Sequence, residues 1–167
     1  GTVDIVATAG SATGTLAVTV TPLPDASVVH GLEGGCLLDD TGAAYCWGAN
    51  WGGQLGDGTN NASNEPVAVT GGHAFVALGT AAYAHYCGLT GDGAAYCWGY
   101  NNSGQLGDGT TTHANTPVAV SGGHSFRAIS TAFYHTCALD DTGDAYCWGD
   151  NGYGQIGDGT TTNVSSP

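Results

Sequence analysis

The chain is 167 residues long, about one domain's worth of polypeptide. It holds 30 glycines, and against 14 Asp and Glu it carries a single base, Arg127, for a formal net charge of −13. That balance excludes a nucleic-acid binder, which needs Lys and Arg to displace counterions from phosphates, and argues equally against an anionic membrane surface. With 41% hydrophobic residues, including 4 Trp, 8 Tyr and 3 Phe, there is enough apolar mass to bury a core, and no apolar run approaches the ~18 residues of a membrane-crossing helix.

Residues 1–24 read as one β-hairpin. Val3, Ile5 and Ala7 alternate with polar neighbours, Gly10-Ser11-Ala12-Thr13-Gly14 turns, and Leu16, Val18 and Val20 alternate again. This stretch resembles the closing hairpin of a bacterial immunoglobulin-like domain. An alternative places Val18–Val20 as the first strand of the repeat that follows, because Val20 precedes Val29 by the same 9 residues as Val69 precedes Leu78 and Val120 precedes Ile129. Pro22 and Pro24 mark the joint. With no Met anywhere, the chain reads as a processed or truncated piece of a larger secreted product.

From residue 25 the chain repeats itself. Ala44-Tyr45-Cys46-Trp47-Gly48 returns as Ala95-Tyr96-Cys97-Trp98-Gly99 and as Ala145-Tyr146-Cys147-Trp148-Gly149, at offsets of 51 and 50 residues. Each copy is followed by an Asn–Gly–Gln loop ending in Gly-Asp-Gly-Thr, and the first two then reach a proline, Pro66 and Pro117, before a Val-Ala-Val strand. The repeats divide at about 25–65, 66–116 and 117–167. In the middle copy the strand candidates are Val67–Val69, Phe75–Leu78, His85–Leu89 and Ala94–Trp98. No segment sustains a 3.6-residue apolar period. Four short strands per repeat of this length predict an all-β chain of propeller-type blades; a solenoid of hairpins is the competing arrangement. Placing Cys36 opposite Cys46 pairs Leu37 with Tyr45 and Leu38 with Ala44. The loop left over, Asp40-Thr41-Gly42, is the length that wants a left-handed residue at Gly42.

The cysteines fall as Cys36/Cys46, Cys87/Cys97 and Cys137/Cys147, one pair per copy. Facing positions on neighbouring strands lie within disulfide reach, so each pair is read as a cross-strand disulfide, which implies an oxidising, extracellular compartment. Zinc is the rival reading, but a closed site wants four ligands and each blade offers two thiols and at most His85 or His135. Trp47, Trp98 and Trp148 recur at one strand position and are assigned to packing between blades. Trp51, Tyr100 and Tyr153 are each peculiar to one loop and are the candidate partner contacts. Asp57, Asp108 and Asp158, with Asp39/Asp40 and Asp140/Asp141, are read as side-chain caps of turn amides, with calcium the weaker alternative at these oxygen-rich turns. His73 and His124 read as solvated turn residues, and His85 and His135 as structural donors to an adjacent blade. Asn61, Asn101 and Asn163 each open an Asn-X-Ser triplet, the glycosylation pattern. Every candidate acid, base or nucleophile recurs with the repeat, so no catalytic constellation stands out and the chain is read as non-enzymatic.

His135-Thr136-Cys137-Ala138-Leu139 followed by Tyr146-Cys147-Trp148-Gly149, and the Asn-x-x-Gly-Gln-Leu-Gly loops, resemble the regulator of chromosome condensation repeat family. The second copy departs at Gly88, and the first carries Gly34 where the His belongs. The resemblance covers roughly residues 25–167 and implies four-stranded blades of a propeller whose face binds protein partners, most similar in style to cysteine-containing bacterial surface proteins. Nothing in this acidic chain supports the nucleotide-exchange activity of the family's eukaryotic namesake. Three blades do not close a ring, which predicts either a piece of a longer propeller or copies that associate, in the limit as a filament. The expected function is an extracellular protein-binding or structural scaffold needing no cofactor. A self-assembling fibre subunit and a glycan-binding or glycan-active protein using the loop aromatics are the alternatives.

Overall fold

The computed structural model describes residues 29–30, 34–79 and 83–167. The expected hairpin at 1–24 and the Val18–Val20 strand lie outside them. The described residues contain no helix. Eleven strands run in chain order: β1 (Val29–His30), β2 (Gly34–Leu38), β3 (Ala44–Gly48), β4 (Ser63–Ala68), β5 (Phe75–Leu78), β6 (His85–Thr90), β7 (Ala95–Gly99), β8 (Ala114–Ala119), β9 (Phe126–Thr131), β10 (His135–Asp140) and β11 (Ala145–Gly149). They form antiparallel sheets β1-β2-β3-β4, β5-β6-β7-β8 and β9-β10-β11, three consecutive blades of a partial propeller. In the third blade a single bridge, Gly149 to Val164, stands where the outer strand begins in the other two.

The central hairpin of each blade has the register that its cysteines dictate. Cys36 faces Cys46, Leu37 faces Tyr45 and Leu38 faces Ala44. The turn closes with Asp39 N–H donating to Ala43 O (3.0 Å) and Gly42 N–H to Asp39 O (3.1 Å). Gly42 has φ +82°, and a Cβ there would stand 2.6 Å from the Phe75 carbonyl oxygen, so a side chain is excluded twice over. Each cysteine pair is bonded, the Cα atoms lying 4.0–4.1 Å apart. Each bond closes only its own hairpin and so fixes local register rather than joining blades.

The blades are phased differently from the sequence repeats. Val67 was expected to open the middle blade with Val69; instead it pairs with Cys46, and Val118 pairs with Cys97, so each Pro-containing strand closes the blade before it. Two successive left-handed glycines, Gly71 (φ +93°) and Gly72 (φ +64°), then carry the chain into the next sheet. There the Phe75 amide bonds back to Gly42 O at 2.8 Å.

Adjacent blades meet in apolar seams. Leu38, Ala44 and Leu55 of the first blade pack on Phe75, Leu78, Tyr86 and Trp98 of the second. Leu89 and Ala95 of the second pack on Phe126 and Trp148 of the third. Leu38, Leu89 and Leu139 hold equivalent positions, yet they are 3%, 2% and 36% exposed, because among the described residues nothing follows the third blade. Leu89→Ala is therefore expected to cost about 2–5 kcal/mol and Leu139→Ala below ~1 kcal/mol, a contrast that parallel urea titrations measure.

Candidate partner-binding surface

The loop after each third strand is built around one buried asparagine. Asn50 Oδ1 accepts from Leu55 N–H (2.9 Å), and its Nδ2 donates to Asp57 Oδ1 (3.3 Å), Thr59 O (3.1 Å) and Asn61 O (3.0 Å). Asn101 and Asn151 repeat the set. The loop then leans on the next blade: Trp98 Nε1 donates to Gln54 O at 3.1 Å and Trp148 Nε1 to Gln105 O at 3.0 Å. These loops form a stiff rim. Asn101 is fully buried, with its amide nitrogen committed to these bonds. Asn61 and Asn163 are exposed.

On the rim stands a cluster of rings drawn from all three blades. Trp51 follows β3, Tyr100 follows β7, and Tyr83 and Phe133-Tyr134 immediately precede β6 and β10, so all gather at the hairpin end opposite the tight turns. Trp51 meets Tyr100 edge-on with centroids 5.3 Å apart and Tyr83 at 6.1 Å. Tyr83 stacks on Phe133 at 4.9 Å, and Tyr134 closes the group, 5.7 Å from Tyr100 and 5.3 Å from Phe133. His113 stacks on Tyr100 at 4.6 Å while its Nδ1 accepts the Asn101 N–H at 3.0 Å. Trp51 is 48% exposed and Phe133 53%. Trp51 and Tyr100 are thus brought together. Tyr153 is not: it is 96% exposed and stands apart, one residue further along its loop than Asn102 and Trp51 in theirs. Tyr83, Phe133 and Tyr134 were not anticipated; the signal was an aromatic residue placed shortly before the His of the second and third copies.

The opposite end carries the acidic turns. Asp140 Oδ1 accepts from Thr142 N–H (2.9 Å), the Thr142 hydroxyl (2.7 Å) and Asp144 N–H (2.9 Å), and these bonds, the hydroxyl's foremost, hold its carboxyl below the usual range. Asp39 makes the same turn; burial pushes its carboxyl up, but the Thr41 and Ala43 donors outweigh that and leave it lowered. In the rim loops Asp57, Asp108 and Asp158 each accept from the Thr two residues on. Arg127 also lies at the acidic end, its Nε donating to Asp140 O at 3.0 Å.

Trp98 and Trp148 are fully buried in the seams, whereas Trp47 is half-buried. His73 and His124, read from sequence as solvated, instead pack on Tyr96 (3.9 Å) and Tyr146 (4.3 Å), because the Gly-Gly turn folds the imidazole back over the sheet. His85 touches the third blade directly, at Thr136 of β10. Thr136 Oγ1 donates to Gln105 O at 2.9 Å, so in its 2.9 Å contact with His85 Nε2 the imidazole is the donor. The acceptor on the adjacent blade is thus a hydroxyl.

Burial, reinforced by the charge of His135, lowers the His85 pKa from 6.5 to about 3. Because the folded value is depressed, its contribution is complete above pH 6.5 and is lost as the pH falls toward about 3. Across that window stability falls by up to about 1.4 kcal/mol per pH unit, and His85→Gln is expected to remove this slope. Denaturation midpoints of the two proteins at about pH 7 and about pH 5 check it; identical pH responses would refute the assignment.

Comparison with known proteins agrees with this geometry. The model of the Regulator of chromosome condensation (RCC1) repeat matches residues 41–80 and 92–139, and a second model of the same repeat matches 126–155. The chain is similar to the human E3 ubiquitin-protein ligase HERC2, 36% identical over 104 residues, which is 61% of this chain and 2% of the ligase. It is similar also to human RCC1 domain-containing protein 1, 39% identical over 77 residues, 46% of this chain and 20% of that protein. Among solved structures, human WBSCR16 superposes with a TM-score of 0.74 at 24% identity, over 84% of this chain and 36% of that one. Prp20p of Saccharomyces cerevisiae superposes at 0.72 and 19% identity, over 84% and 37%. These structural likenesses bear on fold, and the chain spans well under half of each of these proteins. With matched repeats across more than half its length, the chain belongs to the regulator of chromosome condensation (RCC1) repeat family.

Proposed function

We propose that this chain is a non-enzymatic, extracellular protein-binding module, a scaffold piece of a larger surface or secreted protein, which meets its partner through the aromatic rim. The observation that carries this reading is the ring cluster itself. Five large side chains from three blades converge on hydrogen-bonded loops, and two of them, Trp51 and Phe133, stay about half exposed instead of entering a seam. A contiguous aromatic surface on a rigid frame is the usual anatomy of a binding hot spot. The repeat family is one of protein-binding propellers, and its structural neighbour Prp20p binds Gsp1p and histones. Three disulfides in one chain favour an oxidising compartment. The expected phenotype is lost partner capture without lost folding. A photo-crosslinking residue at position 133, presented to the source's cell-surface and secreted proteins, is expected to give adducts that excess wild-type chain displaces and excess Trp51→Ala/Phe133→Ala chain does not. Equal adducts from position 141, at the acidic end, would overturn the reading.

A further inference from the structure

We infer that the rim takes a positively charged side chain of its partner, a lysine, arginine or methylated ammonium, held by cation–π contact; this rests on the reading above and names the chemistry of that same surface. The first ground is ring orientation. Phe133 and Tyr134 meet at 82°, Tyr83 and Tyr134 at 80°, and Trp51 and Tyr100 at 67°, while Tyr83 and Phe133 lie parallel at 6° and cover one face of each other, so the cluster as a whole presents rings at steep angles and not one flat platform. A sugar ring stacks on a flat face, whereas a cation is held by several inclined faces that each turn negative π density toward it.

The second ground is charge. The chain bears 14 acids against one cation, and that cation, Arg127, is bonded to the Asp140 carbonyl at the opposite end. No resident Lys or Arg therefore competes for the rings. Among the carboxylates of the rim, three stand in the loops beside the rings: Asp150, whose amide bonds to Tyr134 O at 2.8 Å, and Asp57 and Asp108, which hold the asparagines next to Trp51 and Tyr100. The field around the rings draws cations in and repels anionic partners.

The test is a titration of isotope-labelled chain followed by nuclear magnetic resonance, with choline against its neutral carbon isostere 3,3-dimethylbutan-1-ol, and with a short Lys/Gly peptide against its Glu/Gly counterpart. Choline and the Lys peptide are expected to shift the ring resonances of Trp51, Tyr100 and Phe133, the isostere to bind about fivefold or more weakly, and the Glu peptide to leave them still. Phe133→Ala is expected to weaken the response, with the buried Trp98 indole reporting an intact fold, while Asp141→Asn leaves it unchanged. Equal binding of choline and isostere, or a response that follows Asp141 and not Phe133, overturns the inference. Silent cationic probes alongside persistent crosslinks from position 133 overturn it alone; loss of those crosslinks overturns the reading beneath it.

Discussion

Trp98→Ala is expected to lower stability by about 3–5 kcal/mol, read as a fall in the urea midpoint with little change in slope. The indole is fully buried in the first seam, 5.7 Å from the Phe75 ring, and shares its cluster with Leu38, Leu55 and Tyr86. Its Nε1–H satisfies the Gln54 carbonyl at 3.1 Å. The loop has been fitted to it: a Cβ on Gly56 would come 2.9 Å from Trp98 Cδ1, so this glycine, at φ +65°, admits the indole as well as the turn. Truncation therefore opens a cavity and strands a buried acceptor together. Trp98→Phe keeps most of the packing and loses the hydrogen bond, which places it near 1–3 kcal/mol. Trp148→Ala should cost somewhat less than Trp98→Ala, because Gln105 O, 3.0 Å from the indole nitrogen, keeps the Thr136 hydroxyl as a donor when the indole is gone. Trp47→Ala should cost least of the three, since Trp47 is only half-buried. A cost for Trp47→Ala equal to that for Trp98→Ala would show that blade-to-blade seams are not what these tryptophans stabilise.

The hairpin register, the cysteine partners and the Gly42 turn were legible because loop length and side-chain alternation fix them within about ten residues of chain. Phase was not. A period tells how long a repeat is, not where a sheet is cut, and Val67 reads equally well as the first strand of one blade or the last of another. The structure decides by pairing it with Cys46. Of the rim, Trp51 and Tyr100 stood out because they break the repeat. Tyr83, Phe133 and Tyr134 did not, since their convergence depends on how blades sit beside one another, and that geometry comes from the seams. Tyr153 looked like a third member, yet it projects alone. The same limit hid the His73 and His124 contacts, in which a turn folds back over a tyrosine of its own following hairpin.

Asn101→Asp, which changes one NH2 group to an oxygen, is expected to destabilise the chain by about 3–5 kcal/mol at neutral pH, and part of that loss should return on acidification. Around Asn101 Nδ2 stand Asp108 Oδ1 at 3.3 Å, Thr110 O at 3.2 Å, Thr112 O at 3.0 Å and the Thr110 hydroxyl at 3.4 Å, which accepts here because its own proton goes to Asp108. A carboxylate in that place offers them no proton, lies beside another carboxylate, and has lost its hydration, for the side chain is fully buried. Only the protonated acid can donate, so burial and the neighbouring charge raise the folded-state pKa above the ordinary ~3.9 of an unfolded Asp. The sign follows. Above the raised pKa the folded state carries the full penalty; as the pH falls through it, the folded state binds a proton that the unfolded chain does not yet hold, and the gap to wild type narrows by up to about 1.4 kcal/mol per pH unit. Taking the variant-minus-wild-type difference cancels the acid sensitivity of His85, which both proteins share. Asn101→Ala supplies the contrast. It leaves the Leu106 amide, now 2.9 Å from Asn101 Oδ1, and the two Thr carbonyls without partners, a loss of about 2–4 kcal/mol with no proton to take up. Its difference from wild type should therefore be flat with pH. If the Asn101→Asp difference is flat as well, the amide is not held by acceptors alone, and the hydrogen bonds that make the rim a rigid platform for the rings are assigned the wrong way round.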